Sequence, residues 1–196
     1  MSRINWPNRL TLARIALVPV YLVLLRWSYA AQSQLWFVPT ILAFMVLCVA
    51  ALTDLLDGIV ARRLDEQSTA GKFLDPIADK LLVIPALIWF TAIGRLTPWP
   101  VILIAAREFI VDALRLLAMS NGVVLAAAFS GKVKTVSQLI LLGFLTVPEG
   151  WHYSVPILAW ICAALAIGSA LEYFLKNRSL ITALFTNATA IKEQTL

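Results

Sequence analysis

Apolar residues run almost unbroken through six stretches of the chain, about 8–27, 35–60, 75–94, 98–119, 132–149 and 153–175, with polar residues gathered in the short breaks. A helix needs about 20 residues, range roughly 17 to 25, to cross the hydrocarbon of a bilayer, and each stretch is that long. The pattern predicts an all-α polytopic membrane protein of six transmembrane helices. The breaks are too short for a linker, so residues 1–196 are expected to form one domain. The first stretch has a rival reading as a secretory signal, because Arg3 and Arg9 precede an apolar run and Ser28-Tyr29-Ala30 offers small residues for cleavage. Arg14 inside that run and Arg26 beside the supposed cut favour a spanning helix, from which both side chains snorkel toward water.

Laid end to end, the six stretches sort the basic residues. One set of ends holds Arg3, Arg9, Arg62, Arg63, Lys72, Lys132, Lys134, Lys176, Arg178 and Lys192; the other holds Arg26 and Arg95. Cytoplasmic loops carry the excess of Lys and Arg, so both termini are expected in the cytoplasm. Trp27, Trp36, Trp99 and Trp151 fall at the opposite surface, where indole rings favour the headgroup layer.

Composition agrees, since 61% hydrophobic and 14% charged residues exclude an ordinary soluble domain. Against that background the acidic residues Asp54, Asp57, Asp75 and Asp79 stand out, because an unpaired carboxylate in lipid costs several kcal/mol. The second stretch enters the bilayer near Trp36 and leaves it some 20 residues later, close to Asp57. The third starts near Asp75 on the same side, with Asp79 one turn, about 6 Å, further in. Residues three or four apart share a helix face, so each pair faces one way. If the two helices pack as a hairpin across a loop at 64–74, four carboxylates converge and need protons or cations to offset their repulsion.

All-oxygen ligands suit hard divalent ions, above all Mg²⁺ or Mn²⁺. Nothing suits zinc: Cys48 and Cys162 sit in separate stretches and read as small core residues, and His152 reads as an interfacial side chain. Two close divalent ions serve displacement at phosphorus. Gly58 and Ala61 leave room beside the acidic face, Arg62 grips phosphate and Gly71 allows close backbone approach. Each has a plainer role as well, since Gly58 eases helix packing and Arg62-Arg63 supplies ordinary cytoplasmic charge. For Arg63 the plainer role is preferred.

The string Asp54-x2-Asp57-Gly58-x2-Ala61-Arg62-x8-Gly71-x3-Asp75-x3-Asp79 resembles the full signature of the CDP-alcohol phosphatidyltransferases, with every position and gap matched. The resemblance implies a six-helix enzyme, usually a homodimer, that moves a phosphatidyl group from a CDP-linked lipid to an alcohol and releases CMP. It implies that Asp54, Asp57 and Asp75 are metal ligands and that Asp79 binds a second ion and acts as general base. Asn8, Thr11, Gly58, Ala61, Arg62, Ser68 and Gly71 are implied to bind the CDP lipid.

The stretches PNRLTLAR at 7–14, AREFIVDALR at 106–115 and GKVKT at 131–135 are similar to the matching segments of bacterial members that use glycerol 3-phosphate. The likeness thins after about residue 140. Glu108, Asp112 and Arg115 lie at i, i+4 and i+7, a polar stripe that must face protein or a water-filled cavity. Lys132 and Lys134 open the fifth stretch, where a helix N-terminus also favours anions. Arg107, Arg115, Lys132 and Lys134 are therefore candidates for holding an acceptor's phosphate. Equally, Glu108 or Asp112 pairs with Arg107 or Arg115 inside the bundle.

The expected activity is transfer of phosphatidyl from CDP-diacylglycerol to glycerol 3-phosphate in a bacterial inner membrane, at the cytoplasmic face, with no nucleic acid partner. Other acceptors, such as inositol phosphate, serine or phosphatidylglycerol, fit the same chemistry. A cation transporter would also explain intramembrane carboxylates, but it leaves Gly58, Arg62 and Gly71 idle and predicts inverted repeats and ligands near the midplane, which the sequence lacks.

Overall fold

The computed structural model describes residues 6–30, 36–64, 69–120, 130–147, 153–179 and 181–182, with side chains described outside positions 6–11, 54–64, 69–79, 120, 130 and 132. All regular structure among the described residues is helical: α1 (Trp6–Ala30), α2 (Phe37–Leu64), α3 (Thr69–Ala92), α4 (Pro98–Ser120), α5 (Ser130–Thr146) and α6 (Ser154–Lys176). Leu12–Ala30 and Ser154–Lys176 are long and apolar enough to cross a membrane, and Phe37–Thr53, Lys80–Ala92 and Val133–Thr146 are shorter apolar helices.

The helix ends follow from local chemistry. Pro7 falls in the first turn of α1 and Pro98 opens α4, positions where the missing N–H costs nothing. Gly94 stops α3 with φ at 77°. Its N–H reaches Thr91 O at 3.0 Å, and the Arg95 N–H reaches Phe90 O at 2.9 Å. This paired closure satisfies the last carbonyls and needs a left-handed residue that glycine supplies without strain. The expected loop at 64–74 is corrected: α2 runs to Leu64 and α3 begins at Thr69, so Gly71 and Asp75 lie inside α3. Hydropathy marks only the apolar part of a helix, and a helix does not have to end where it leaves hydrocarbon.

The chain forms two compact units, Met1–Thr97 with Leu139–Pro156, and Pro98–Gln138 with Ile157–Leu196. In the first, α1 packs against α2 and α3. α1 buries positions 14, 18, 21, 25 and 28, and α2 buries 40, 43, 47 and 50, stripes with the spacing of one helix face. Polar pairs fix their register within this apolar core. Ser28 and Thr40 share a hydrogen bond between hydroxyls. The Thr146 hydroxyl donates to Leu142 O at 2.7 Å, so the 2.7 Å bond to Tyr21 has the phenol as donor. Tyr29 donates to Leu145 O at 2.6 Å and meets Trp89 edge-on, with ring centroids 5.3 Å apart.

In the second unit, Ile104, Val111 and Ala118 of α4 and Cys162, Ala166 and Tyr173 of α6 are fully or almost fully buried. The Cys162 thiol donates to Ser137 O at 3.3 Å. The outside of both units is apolar: Val23, Trp99, Phe109 and Leu175 are all more than 60% exposed, a surface suited to lipid.

Two expectations about single residues are corrected by these stripes. Cys48 is exposed while Cys162 is buried; position 48 falls off the inward stripe of α2, where contact with lipid costs a thiol little. Arg14 is 3% exposed and does not snorkel, because it sits on the same face as Val18, Tyr21 and Leu25. Arg26, off that face, is exposed as expected.

Tyr21→Phe is expected to destabilise the fold by about 0.6 kcal/mol, and by no more than about 1.7, the range for hydrogen bonds between membrane helices. Reversible unfolding in lipid or mixed micelles measures this. An unchanged unfolding equilibrium would show that the hydroxyl pair contributes nothing.

Candidate active site

The acidic positions lie on α2 and α3 of the first unit. In the sequence, positions 54 and 57 of α2 follow 43, 47 and 50 at helical spacing, and positions 79 and 75 of α3 precede 83, 86 and 90 in the same way. The Ser28–Thr40 bond sets the heights of the antiparallel α1 and α2. Fourteen residues back from Ser28 is Arg14, and fourteen onward from Thr40 is Asp54, so both lie about 21 Å from the bond at one level. The same register sets Thr11 level with Asp57 and Asn8 level with the segment from Gly58 to Ala61. The Tyr29–Trp89 contact brings Asp75 to within about a residue of the level of Arg14. Asp79 is about 6 Å further along α3. The helix register therefore sets Arg14, Asp54 and Asp75 near one level along the first unit.

The side chains of Asp54, Asp57, Asp75 and Asp79, and those of Asn8, Thr11, Gly58, Ala61, Arg62, Gly71 and Lys132, lie outside the described ones, and Ser68 lies outside the described residues altogether. Among the described side chains no group of three or more His, Cys, Asp or Glu gathers. The chemistry of the donor set fits Mg²⁺ or Mn²⁺: four carboxylates at i, i+3 and i, i+4 on two helices, all oxygen, near one height. Arg14 is the residue that pattern reasoning passed over. Its spacing with Val18, Tyr21 and Leu25 was the available signal, since it puts a cation on the buried face of α1.

The basic candidates separate into two groups in the second unit. Glu108 is 6% exposed and Lys134 7%, and the ammonium of Lys134 binds Glu108 Oε1. Arg107 Nη1 donates to Glu108 Oε2 at 3.3 Å, and the buried Gln138 amide approaches Oε1 at 3.5 Å. The carboxylate is thus a hub joining α4 to α5, and the pairing of Glu108 with Arg107 is realised. Arg115 behaves differently. It is exposed, its guanidinium carbon lies 5.4 Å from the Tyr173 ring centroid, and it is about 12 Å along α4 from Arg107. Along the stripe Glu108 is buried, Asp112 half-buried and Arg115 exposed; Arg115 keeps nearly the helix phase of Glu108, about 20° away, and stands nearer the end of α4.

Comparison with known proteins gives a consistent result. Residues 4–170 match the family model described as CDP-alcohol phosphatidyltransferase. A Bacillus subtilis (strain 168) protein named CDP-diacylglycerol–glycerol-3-phosphate 3-phosphatidyltransferase is 38% identical over 183 residues, 88% of this chain and 95% of that protein. An Escherichia coli (strain K12) protein of the same name is 33% identical over 187 residues, covering 89% and 96%. A Mycobacterium tuberculosis (strain CDC 1551 / Oshkosh) protein named probable phosphatidylglycerophosphate synthase is 34% identical over 163 residues, covering 83% and 76%.

Arg14→Leu removes a positive charge from the acidic level. It is expected to destabilise the chain in EDTA by about 3 kcal/mol or more, as when one partner of a buried ion pair is lost, with partial recovery in Mg²⁺. Arg26→Leu, at an exposed site, is expected to change stability by under about 0.5 kcal/mol. Thermal or denaturant unfolding of both variants makes the comparison, and equal behaviour would remove the charge-balancing role of Arg14.

Proposed function

The chain belongs to the CDP-alcohol phosphatidyltransferase family, and from that premise we propose that it transfers the phosphatidyl group of CDP-diacylglycerol to glycerol 3-phosphate, yielding phosphatidylglycerophosphate and CMP. The observation that carries the acceptor is the likeness over nearly the full length of relatives named for that reaction. It is a membrane protein, with apolar helices and an apolar outer surface. We further propose six membrane spans, both termini in the cytoplasm, a reaction at the cytoplasmic face of a bacterial inner membrane, and a homodimer. The distribution of Lys and Arg and the exposure of Trp27 and Trp99 support the orientation; the dimer rests on the family resemblance.

In this mechanism the primary hydroxyl of glycerol 3-phosphate attacks the phosphorus that carries the diacylglycerol. Asp79 accepts the hydroxyl proton. A bond forms from the acceptor oxygen to phosphorus, the bond from that phosphorus to the CMP oxygen breaks, and CMP leaves with the electron pair. Asp54, Asp57 and Asp75, with Asp79, would hold Mg²⁺ or Mn²⁺, two ions being expected, whose charge offsets the diphosphate. Arg62 and the small residues Gly58, Ala61 and Gly71 accommodate the CDP portion, with Asn8, Thr11 and Ser68. No Ser, Cys or His in the signature stands ready as a nucleophile with its own base, which favours direct attack. The acceptor's phosphate is assigned to Lys134 and Arg107, with Lys132 and Arg115 as further basic residues of the same helices.

Asp57→Asn keeps the shape of the side chain and loses its charge. It is expected to abolish CMP release while leaving an inserted, folded protein, and EDTA is expected to silence the wild type until Mg²⁺ or Mn²⁺ is restored. Full activity in EDTA would sink the metal role. Lys134→Ala is expected to lower kcat/KM for glycerol 3-phosphate by roughly 10- to 150-fold, equivalent to about 1.5 to 3 kcal/mol for one charge-assisted contact. KM for CDP-diacylglycerol should be nearly unchanged. Equal impairment toward both substrates, or a better rate with an unphosphorylated alcohol, would count against the phosphate pocket.

A further inference from the structure

We propose that Glu108 is a positioning residue for the acceptor's phosphate: its carboxylate holds Lys134 and Arg107 side by side as one anion-binding pair. The inference rests on the assignment of glycerol 3-phosphate as acceptor and deepens it. Glu108 occupies the middle of an apolar stripe on α4, between Ile104 and Val111, both buried. An acidic residue there is costly unless it is paired.

Its partners come from both sides. Oε1 receives the Lys134 ammonium and the Gln138 amide, which stand one turn apart on α5, while Oε2 receives Arg107 Nη1 from α4 itself. Two cations that would otherwise repel each other are thereby held on the two oxygens of a single carboxylate.

A second observation points to a ligand. The Arg107 side chain is 9% exposed, and its buried Nε–H has no hydrogen-bond partner. Buried N–H donors are nearly always satisfied, and the guanidinium fork matches the oxygens of a phosphate. A phosphate oxygen at Nε would complete the arginine while Nη1 stays anchored on Glu108. The carboxylate therefore takes no part in the chemistry. It fixes the spacing of the two cations and aims the remaining donors of Arg107.

Steady-state CMP release in mixed micelles, with each substrate varied in turn, tests this. Glu108→Gln, which keeps the shape and loses the charge, is expected to raise KM for glycerol 3-phosphate by about tenfold or more, with kcat and KM for CDP-diacylglycerol within about threefold. Glu108→Asp should recover part of the loss. Gln138→Leu, which removes a neighbour of Oε1 without stranding a charge, should raise the acceptor KM by a few-fold, and it decides the matter if Glu108→Gln does not fold.

An unchanged or lowered acceptor KM in the folded variants would overturn the proposal, the lowered value meaning that the carboxylate competes with phosphate. A loss shared equally by both substrates would also overturn it, leaving Glu108 a structural link. The underlying assignment fails separately, if the wild type rejects glycerol 3-phosphate or if Lys134→Ala leaves the acceptor KM unchanged.

Discussion

A charged group among apolar helices costs several kcal/mol unless it is paired, solvated or held against a cation, and the arrangement of this chain follows from how it meets that cost. Each unit concentrates charge at few points. In the first, the described inward stripes of α1, α2 and α3 are apolar or hydroxyl-bearing apart from Arg14. In the second, one carboxylate on α4 collects an arginine, a lysine and an amide. Elsewhere the cores are filled by residues such as Leu25, Leu87, Phe90 and Ile104, and the outer surface carries side chains that belong in lipid.

The same cost explains which features could be read in the sequence. Helices were legible because long apolar runs have few alternatives, and the signature was legible because Asp54, Asp57, Asp75 and Asp79 violate that apolar rule at fixed spacing. Helix limits were less so. Hydropathy falls where a helix meets the headgroups, although hydrogen bonding continues, and so the start of α3 was expected near Asp75 when it lies at Thr69.

Arg14 and Cys48 show a further limit, because one residue type occurs on an inward or an outward face alike and only the phase of the helix decides. That phase was present in the spacing of Arg14 with Tyr21 and Leu25, but a lone arginine in an apolar run suggests snorkelling first. The hub at Glu108 could not be assembled from spacing. Its donors Lys134 and Gln138 are 26 and 30 residues away in the chain, and no local pattern shows that a lysine at the start of one helix meets a glutamate in the middle of another.

The Ser28–Thr40 bond has a mechanical consequence. It clasps α1 to α2 near one end, and the next residue, Tyr29, ties the same end of α1 to Leu145 and Trp89. The acidic level lies about 21 Å from that clasp. The bond thus acts at a distance: by fixing the offset of two antiparallel helices near one end, it also fixes which of their positions stand level about four turns away.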